Sequence, residues 1–294
     1  MDRRGFLKIA GTAVAVGSVP ATQVESSLTP ASTPQIANPG NASIRVQDNT
    51  LHIDTPTQTA VMEKGVFISL KSKTTAEVFI RDVDVTACPA LQLLYRGGES
   101  VSVDESKFGR VETYALSEQR AEVVFHSWDA DGVLGVSVEP ATGDILIEPA
   151  AFSSRSGVLA CRWNLPGIRP DLELVAPFFQ GVKLPLKDPL IKDSHWEWPF
   201  FWEAGLAILQ GKRGGFWVHT QDNRFRYKGL HVGTAGDPQR LGFDTQAYGP
   251  IDDNLSAGGL TWRINCFDGD WQAPAGHYRQ WLWQAYDLQD EQQR

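Results

Sequence analysis

Cysteine is scarce: Cys88, Cys161 and Cys266 are the only three in 294 residues. That is too few for a disulfide framework, and none has a near neighbour with which to share a structural zinc ion. In an oxidising compartment one pair can bond and leave a thiol over; otherwise all three serve as small buried apolar groups. Long hydrophobic runs are missing too. The longest, a weakly apolar stretch from Ile9 to Val19, is about half of the ~20 residues that a membrane-spanning helix needs. Dense Lys/Arg clusters are absent and the formal charge is −8. Such a surface repels phosphate backbones, which argues against nucleic acid as a partner. There is no Gly-x-Ser-x-Gly elbow, no phosphate loop and no dinucleotide fingerprint. No cofactor is implied.

What the N-terminus does contain is Arg3-Arg4-Gly5-Phe6-Leu7-Lys8 ahead of the apolar run. Paired arginines before Phe-Leu-Lys resemble the twin-arginine export signal of bacteria. Asp2 departs from the Ser or Thr usual there, and a basic n-region of the Sec type is the alternative. Val19-Pro20-Ala21 sets small residues at −3 and −1, so cleavage after Ala21 is expected. The product would be periplasmic or extracellular, with no membrane attachment, since no Cys follows to accept lipid. Residues 1–21 carry Arg3, Arg4, Lys8 and Asp2, so their loss moves the charge from −8 to −10. Residues 22–41, TQVESSLTPASTPQIANPGN, cannot bury enough apolar surface to offset ordering and read as a disordered spacer.

From residue 42 the dominant period is two. Ile44 and Val46, Leu51 and Ile53, and Val66, Ile68 and Leu70 alternate with their neighbours. So do Leu134, Val136 and Val138, and Leu260, Trp262, Ile264 and Cys266. Strict alternation marks half-buried antiparallel strands. Turn signals punctuate them at Asp48-Asn49, Gly97-Gly98, Asp131-Gly132, Gly143-Asp144 and Asp222-Asn223, as in a sandwich or barrel. An all-β domain over 42–268 is expected, then a connecting segment and helix over 269–294. In that last segment Tyr278, Trp281, Leu282 and Ala285 recur at helical spacing, an apolar stripe that needs a cover.

Tryptophan is abundant. Ten occur, and Trp196, Trp198, Trp202, Trp217, Trp262, Trp271, Trp281 and Trp283 all follow residue 195. Indole faces stack on sugar rings while nearby polar groups take the hydroxyls, but large aromatics also fill wide sandwich cores. In HWEWPFFWEA (195–204), Trp196 and Trp198 share one strand face, and His195 and Glu197 share the other. The second pair suits general acid/base work or a rim contact. No third ligand follows at metal-binding spacing, His219 and His231 being candidates by residue type alone, so no metal is expected. In GGFWVHTQDNRFRYKGL (214–230), Trp217 and His219 face together and the Asp222-Asn223 turn follows. Arg224, Arg226 and Lys228 then line one face of a return strand, positioned for a carboxylate or simply paired with surplus acid. His195, Glu197, Trp217, His219, Asp222, Arg224 and Arg226 are therefore the candidate carbohydrate-binding residues. Asp252, Asp253, Asp268 and Asp270 invite a two-carboxylate glycosidase reading, though loop Asp residues are common turn formers.

The order ACRWNLPGI, FFQGVKLP, WPFFWEAGLAILQGKRGGFWVHTQD and GGLTWRINCFDGDWQAPAGHYRQWL resembles a known family. It is similar to the β-supersandwich preceding the (β/α)8 barrel in bacterial glycosidase-like proteins related to endo-α-N-acetylgalactosaminidase. The sharpest pieces are Gly214-Gly215-Phe216 before Asp222, and Gly269-Asp270-Trp271 before Tyr278-Arg279-Gln280-Trp281. The resemblance implies a large antiparallel, galactose-mutarotase-like β-supersandwich with a short C-terminal helix. In that family the Tyr-Arg-x-Trp helix leads into the barrel with the catalytic carboxylates. Here the sequence stops at Arg294, so no catalytic residue carries over, and the expectation is a non-catalytic N-terminal part cut short. HWEWPFFWEA also lacks the Asn-His motif of true mutarotases.

Three readings follow. The first is an exported, carbohydrate-associated sandwich module without autonomous activity. The second is a sugar-active enzyme, an epimerase or glycan-cleaving, with His195, Glu197, His219 and Asp222 in one cleft. The third is a structural module that docks a barrel or another partner on the 277–294 helix.

Overall fold

The computed structural model describes residues 42–103, 109–127, 130–233 and 239–288. The expected signal peptide (1–21) and spacer (22–41) lie outside the described residues. The alternating segments pair into two antiparallel sheets. The first runs β1 (Ser43–Gln47), β2 (Thr50–Asp54), β3 (Gln58–Glu63), β4 (Val66–Ser72), β5 (Val78–Ile80), β12 (Val158–Ile168), β19 (Gln239–Gln246), β18 (Lys228–Gly233), β15 (Ser194–Trp198). On it, β6 (Leu91–Tyr95) pairs with β12, and β7 (Ser100–Val103) pairs with β6. The second runs β14 (Val182–Pro185), β13 (Glu173–Ala176), β16 (Leu206–Gln210), β17 (Gly214–His219), β21 (Trp262–Asp268), β11 (Asp144–Ser153), β10 (Ala130–Glu139), β9 (Arg120–His126), β8 (Arg110–Ser117). A short β20 (Ser256–Gly258) joins it through β11.

Between the sheets lies one continuous apolar core, with Phe67, Phe79, Trp163, Phe216, Phe243 and Trp262 fully buried in it. Trp163 stacks on Phe243 at 5.4 Å and 27°. Trp202 lies 6.1 Å from Trp262, nearly parallel, and donates its indole N–H to the Leu206 carbonyl at 3.0 Å. That contact avoids the cost of about 1–3 kcal/mol for an unmade hydrogen bond on a buried donor. Many of the tryptophans therefore serve the core. All three cysteines are buried and free.

The apolar stripe of the C-terminal helix α1 (Gln272–Ala285) is covered by the chain's own sheet. Tyr278, Trp281 and Leu282 pack on the outward-facing Val175, Leu206, Ile208 and Trp217 of β13, β16 and β17. The partner that the stripe calls for is thus a face of the second sheet. None of the helices among the described residues is long and apolar enough to cross a membrane.

Candidate functional site

Alternation sends Trp196 and Val218 into the core, so His195 and His219 project from opposite outer faces of the sandwich. The four-residue cleft expected of His195, Glu197, His219 and Asp222 does not form, because His195 and Glu197 lie on the first sheet, His219 on the second, and Asp222 in the loop after β17. His219 is buried under α1. It lies against Trp217 and edge-on to Tyr278, whose hydroxyl donates to the Thr220 carbonyl at 3.2 Å. Burial, reinforced by the charges of Arg263 and His277, pulls the imidazole pKa down to about 3. It is a neutral packing group without access to a ligand. Trp217, beside it, is also buried.

The stretch after β17 is not a return strand. Residues 221–227 form an irregular loop, and Asp222 turns inward. Its carboxylate accepts the backbone N–H groups of Arg224 (3.1 Å) and Arg226 (2.8 Å) and the Arg226 Nε–H (3.2 Å). The Lys228 ammonium lies 3.1 Å away, with both side chains buried. Burial opposes ionisation of Asp222, but Lys228 and the donated N–H groups hold its carboxyl below the usual range. Burial likewise pulls Lys228 down, against the pull of Asp222. Lys228 also donates to the Arg226 carbonyl at 2.6 Å and sits 3.9 Å over the Trp198 ring. The basic triplet read from sequence is thus split. Arg226 and Lys228 neutralise a buried Asp222, and only Arg224 is exposed.

Around this pair opens a cleft of about 240 Å³. Trp198, Phe225, Tyr278 and Tyr286 supply aromatic faces, and Glu203, Thr220, Asp222 and Lys228 supply polar groups. The Tyr286 hydroxyl donates to the Asp222 carbonyl at 2.8 Å, which ties the end of α1 to the cleft. Glu203 accepts the Gln180 N–H at 3.0 Å. The next loops expose Phe179, Phe200 and Phe201. Sequence reasoning named Asp222 but not Glu203, Phe225 or Tyr286, which reach the cleft from a loop and a helix end. Asp252 pairs with Arg96, and Asp270 accepts the Gln272 N–H just ahead of α1. Both thus have local structural partners.

His195 and Glu197 stand on the outer face of β15. His195 Nε2 lies 2.8 Å from Asp244 Oδ2, and Arg162 clamps the same carboxylate through Nε (2.5 Å) and a terminal nitrogen (2.9 Å). Burial pushes against the charge on Asp244, yet Arg162 and His195 hold it ionised. Gly229 makes room for the contact. A Cβ there would sit 2.8 Å from His195 Nε2 and 3.3 Å from Asp244 Oδ2. Among the described residues no group of three His, Cys, Asp or Glu is placed to hold a metal ion.

The fold is similar to that of solved structures. The α-N-acetylgalactosaminidase NagBb from Bifidobacterium bifidum, in its GalNAc complex, is similar at TM-score 0.51 and 13% identity, over 81% of this chain and 38% of that one. The fold is the expected large antiparallel β-supersandwich with a C-terminal helix. The GH36 α-galactosidase AgaB from Geobacillus stearothermophilus gives TM-score 0.49 at 13% identity, over 78% of this chain and 41% of that one. A protein from Escherichia coli K12 assigned as an aldose 1-epimerase gives TM-score 0.46 at 8% identity, over 78% of this chain and 100% of that one. On the glycosidases the match falls on the N-terminal sandwich portion, so this supersandwich spans about two fifths of their length. No protein-family model and no curated protein matches the sequence. At these identities the likeness is one of fold, and fold alone does not assign chemistry.

Proposed function

We propose that this supersandwich is a carbohydrate-associated module that takes a sugar ring in the Trp198 cleft and serves a glycoside-hydrolase barrel instead of catalysing by itself. The cleft carries the reading. Aromatic faces of Trp198, Phe225 and Tyr286 flank the exposed Glu203 carboxylate, the combination that holds the C–H faces and hydroxyls of a sugar. The fold shared with an α-N-acetylgalactosaminidase supports the ligand class. Asp222 and Lys228 are saturated by one another and by the backbone, which suits shaping the cleft floor better than proton transfer. Delivery through the twin-arginine pathway, followed by cleavage after Ala21, completes the reading.

Tryptophan fluorescence of the purified chain, titrated with galactose, N-acetylgalactosamine and their oligosaccharides, tests the cleft. Saturable quenching is expected, and Trp198→Ala or Phe225→Ala should weaken it about tenfold, the worth of one stacking aromatic. Equal binding by the variants, or none by any sugar of the panel, refutes the cleft. Export is checked by fusing residues 1–41 to a reporter. Secretion that survives Arg3→Lys with Arg4→Lys, or loss of the translocase, rules out the twin-arginine route.

A further inference from the structure

The outer face of the first sheet holds a second constellation. Strand register aligns Glu197, Gly229, Asp244 and Arg162 in one row across β15, β18, β19 and β12. His195, His231, Gly242 and Asn164 form the next row. The alternate residues Trp196, Leu230, Phe243 and Trp163 are in the core, so both rows look outward. Missing side chains shape the surface. A Cβ on Gly242 would meet Arg162 Cδ at 2.7 Å, and one on Gly233 would meet Arg240 Nε at 2.5 Å. Both arginine stems therefore lie across bare backbone.

His231 sits among these groups, its ring centroid 6.2 Å from that of His195. Its Nδ1 is buried and, among the described residues, has no partner. Burial first, then the neighbouring Arg162, His195 and Arg240 charges, lower its pKa to about 4 against the opposing pull of Asp244. It is a neutral imidazole with an unused nitrogen. Donors outnumber acceptors around it. Arg162 gives Asp244 only two of its three nitrogens. Arg240 has a 3.9 Å contact to the Cys88 thiol and, among the described residues, no carboxylate partner. His195, held by Asp244 at one nitrogen, is exposed at the sheet surface. Glu197 supplies a hydroxyl acceptor and disfavours a bare anion.

We propose that Arg162, Arg240, His195 and His231 bind an acidic monosaccharide, the arginines taking its carboxylate and the two imidazoles and Glu197 its hydroxyls. The choice of a sugar rests on the carbohydrate reading above; the site is separate from the Trp198 cleft. Bracing of four strands alone would need Arg162 and Asp244, but not Arg240 or an unpartnered His231.

Calorimetry of the full chain with galacturonate, glucuronate, galactose and inorganic sulfate tests this. A uronate should bind about tenfold tighter than galactose or sulfate, the effect of one good charge-assisted pair. Arg240→Gln and His231→Phe should abolish that preference while melting close to wild type, and Trp198→Ala should leave it intact. Sulfate binding as tight as a uronate, galactose binding as tight as a uronate once Trp198→Ala has disabled the cleft, no heat with either uronate, or unchanged affinity in Arg240→Gln each overturns the proposal. Failure of the cleft reading shows separately, as neutral-sugar binding indifferent to Trp198→Ala.

Discussion

His219 lies flat on Trp217, with ring centroids 3.8 Å apart and planes 8° from parallel. Among the described residues neither imidazole nitrogen has a hydrogen-bond partner, so protonation in place would put an unpaired charge beneath α1. The native pKa of about 3 lies below the unfolded value of about 6.5. Between these values the unfolded chain binds the extra proton, so stability falls as pH drops below ~6.5 and is insensitive to this group above it. The slope is about 1.4 kcal/mol per pH unit. Urea midpoints at pH 7, 6 and 5 should fall, and His219→Phe should flatten the decline. An unchanged slope in that variant would assign the acid sensitivity elsewhere.

Gly229 is predicted to be irreplaceable for want of space. Its missing Cβ leaves the position beside His195 Nε2 open, and Gly229→Ala should cost about 1–3 kcal/mol by forcing those groups apart. In a His195→Ala background the same change should cost less. A double-mutant cycle measured by chemical denaturation checks the difference.

Removing the Asp222 charge strands Lys228, whose side chain is almost wholly buried. Asp222→Asn should destabilise by about 3–5 kcal/mol, the usual cost of leaving one partner of a buried pair uncompensated. The double variant Asp222→Asn with Lys228→Met should recover much of that loss. Thermal melts of the three variants decide it.

Tyr278 joins α1 to the second sheet through packing and a hydrogen bond. Tyr278→Phe should cost about 0.5–1.5 kcal/mol, the net worth of the bond to Thr220. Tyr278→Ala should cost about 3–5 kcal/mol, as expected for an aromatic lost from a packed cluster. If α1 is a latch on the sheet, the alanine variant should also bind a hydrophobic dye as Trp217 is uncovered. Dye binding equal to wild type would count against that.

The strands were legible in the sequence because side-chain direction in a strand is a local property of period two. Ile264 and Cys266 could be set on one face of β21 from their spacing alone. The face of HWEWPFFWEA could also be divided correctly, Trp196 inward and His195 outward. Misreading began where local pattern is silent. Arg224, Arg226 and Lys228 alternate like a strand, but the buried carboxylate of Asp222 offers them more than a solvent-exposed ladder does, and residues 221–227 fold around it. The helix stripe was visible, but its cover was not, because Leu206, Ile208 and Trp217 on the outer face of β16 and β17 could equally have been read as core.

By itself the sequence determined an all-β domain from residue 42 and a terminal helix with one apolar face. It also determined a pool of tryptophans larger than a surface needs. These follow from local periodicity and composition. Which tryptophans fill the core, and which one, Trp198, lines a cleft, was decided only when two sheets met, since burial depends on what lies opposite. The same holds for the outer-face cluster. Arg162 and Asp244 are 82 residues apart, and His195 and Asp244 are 49 apart. Only strand order in the sheet brings two such distant groups to one carboxylate.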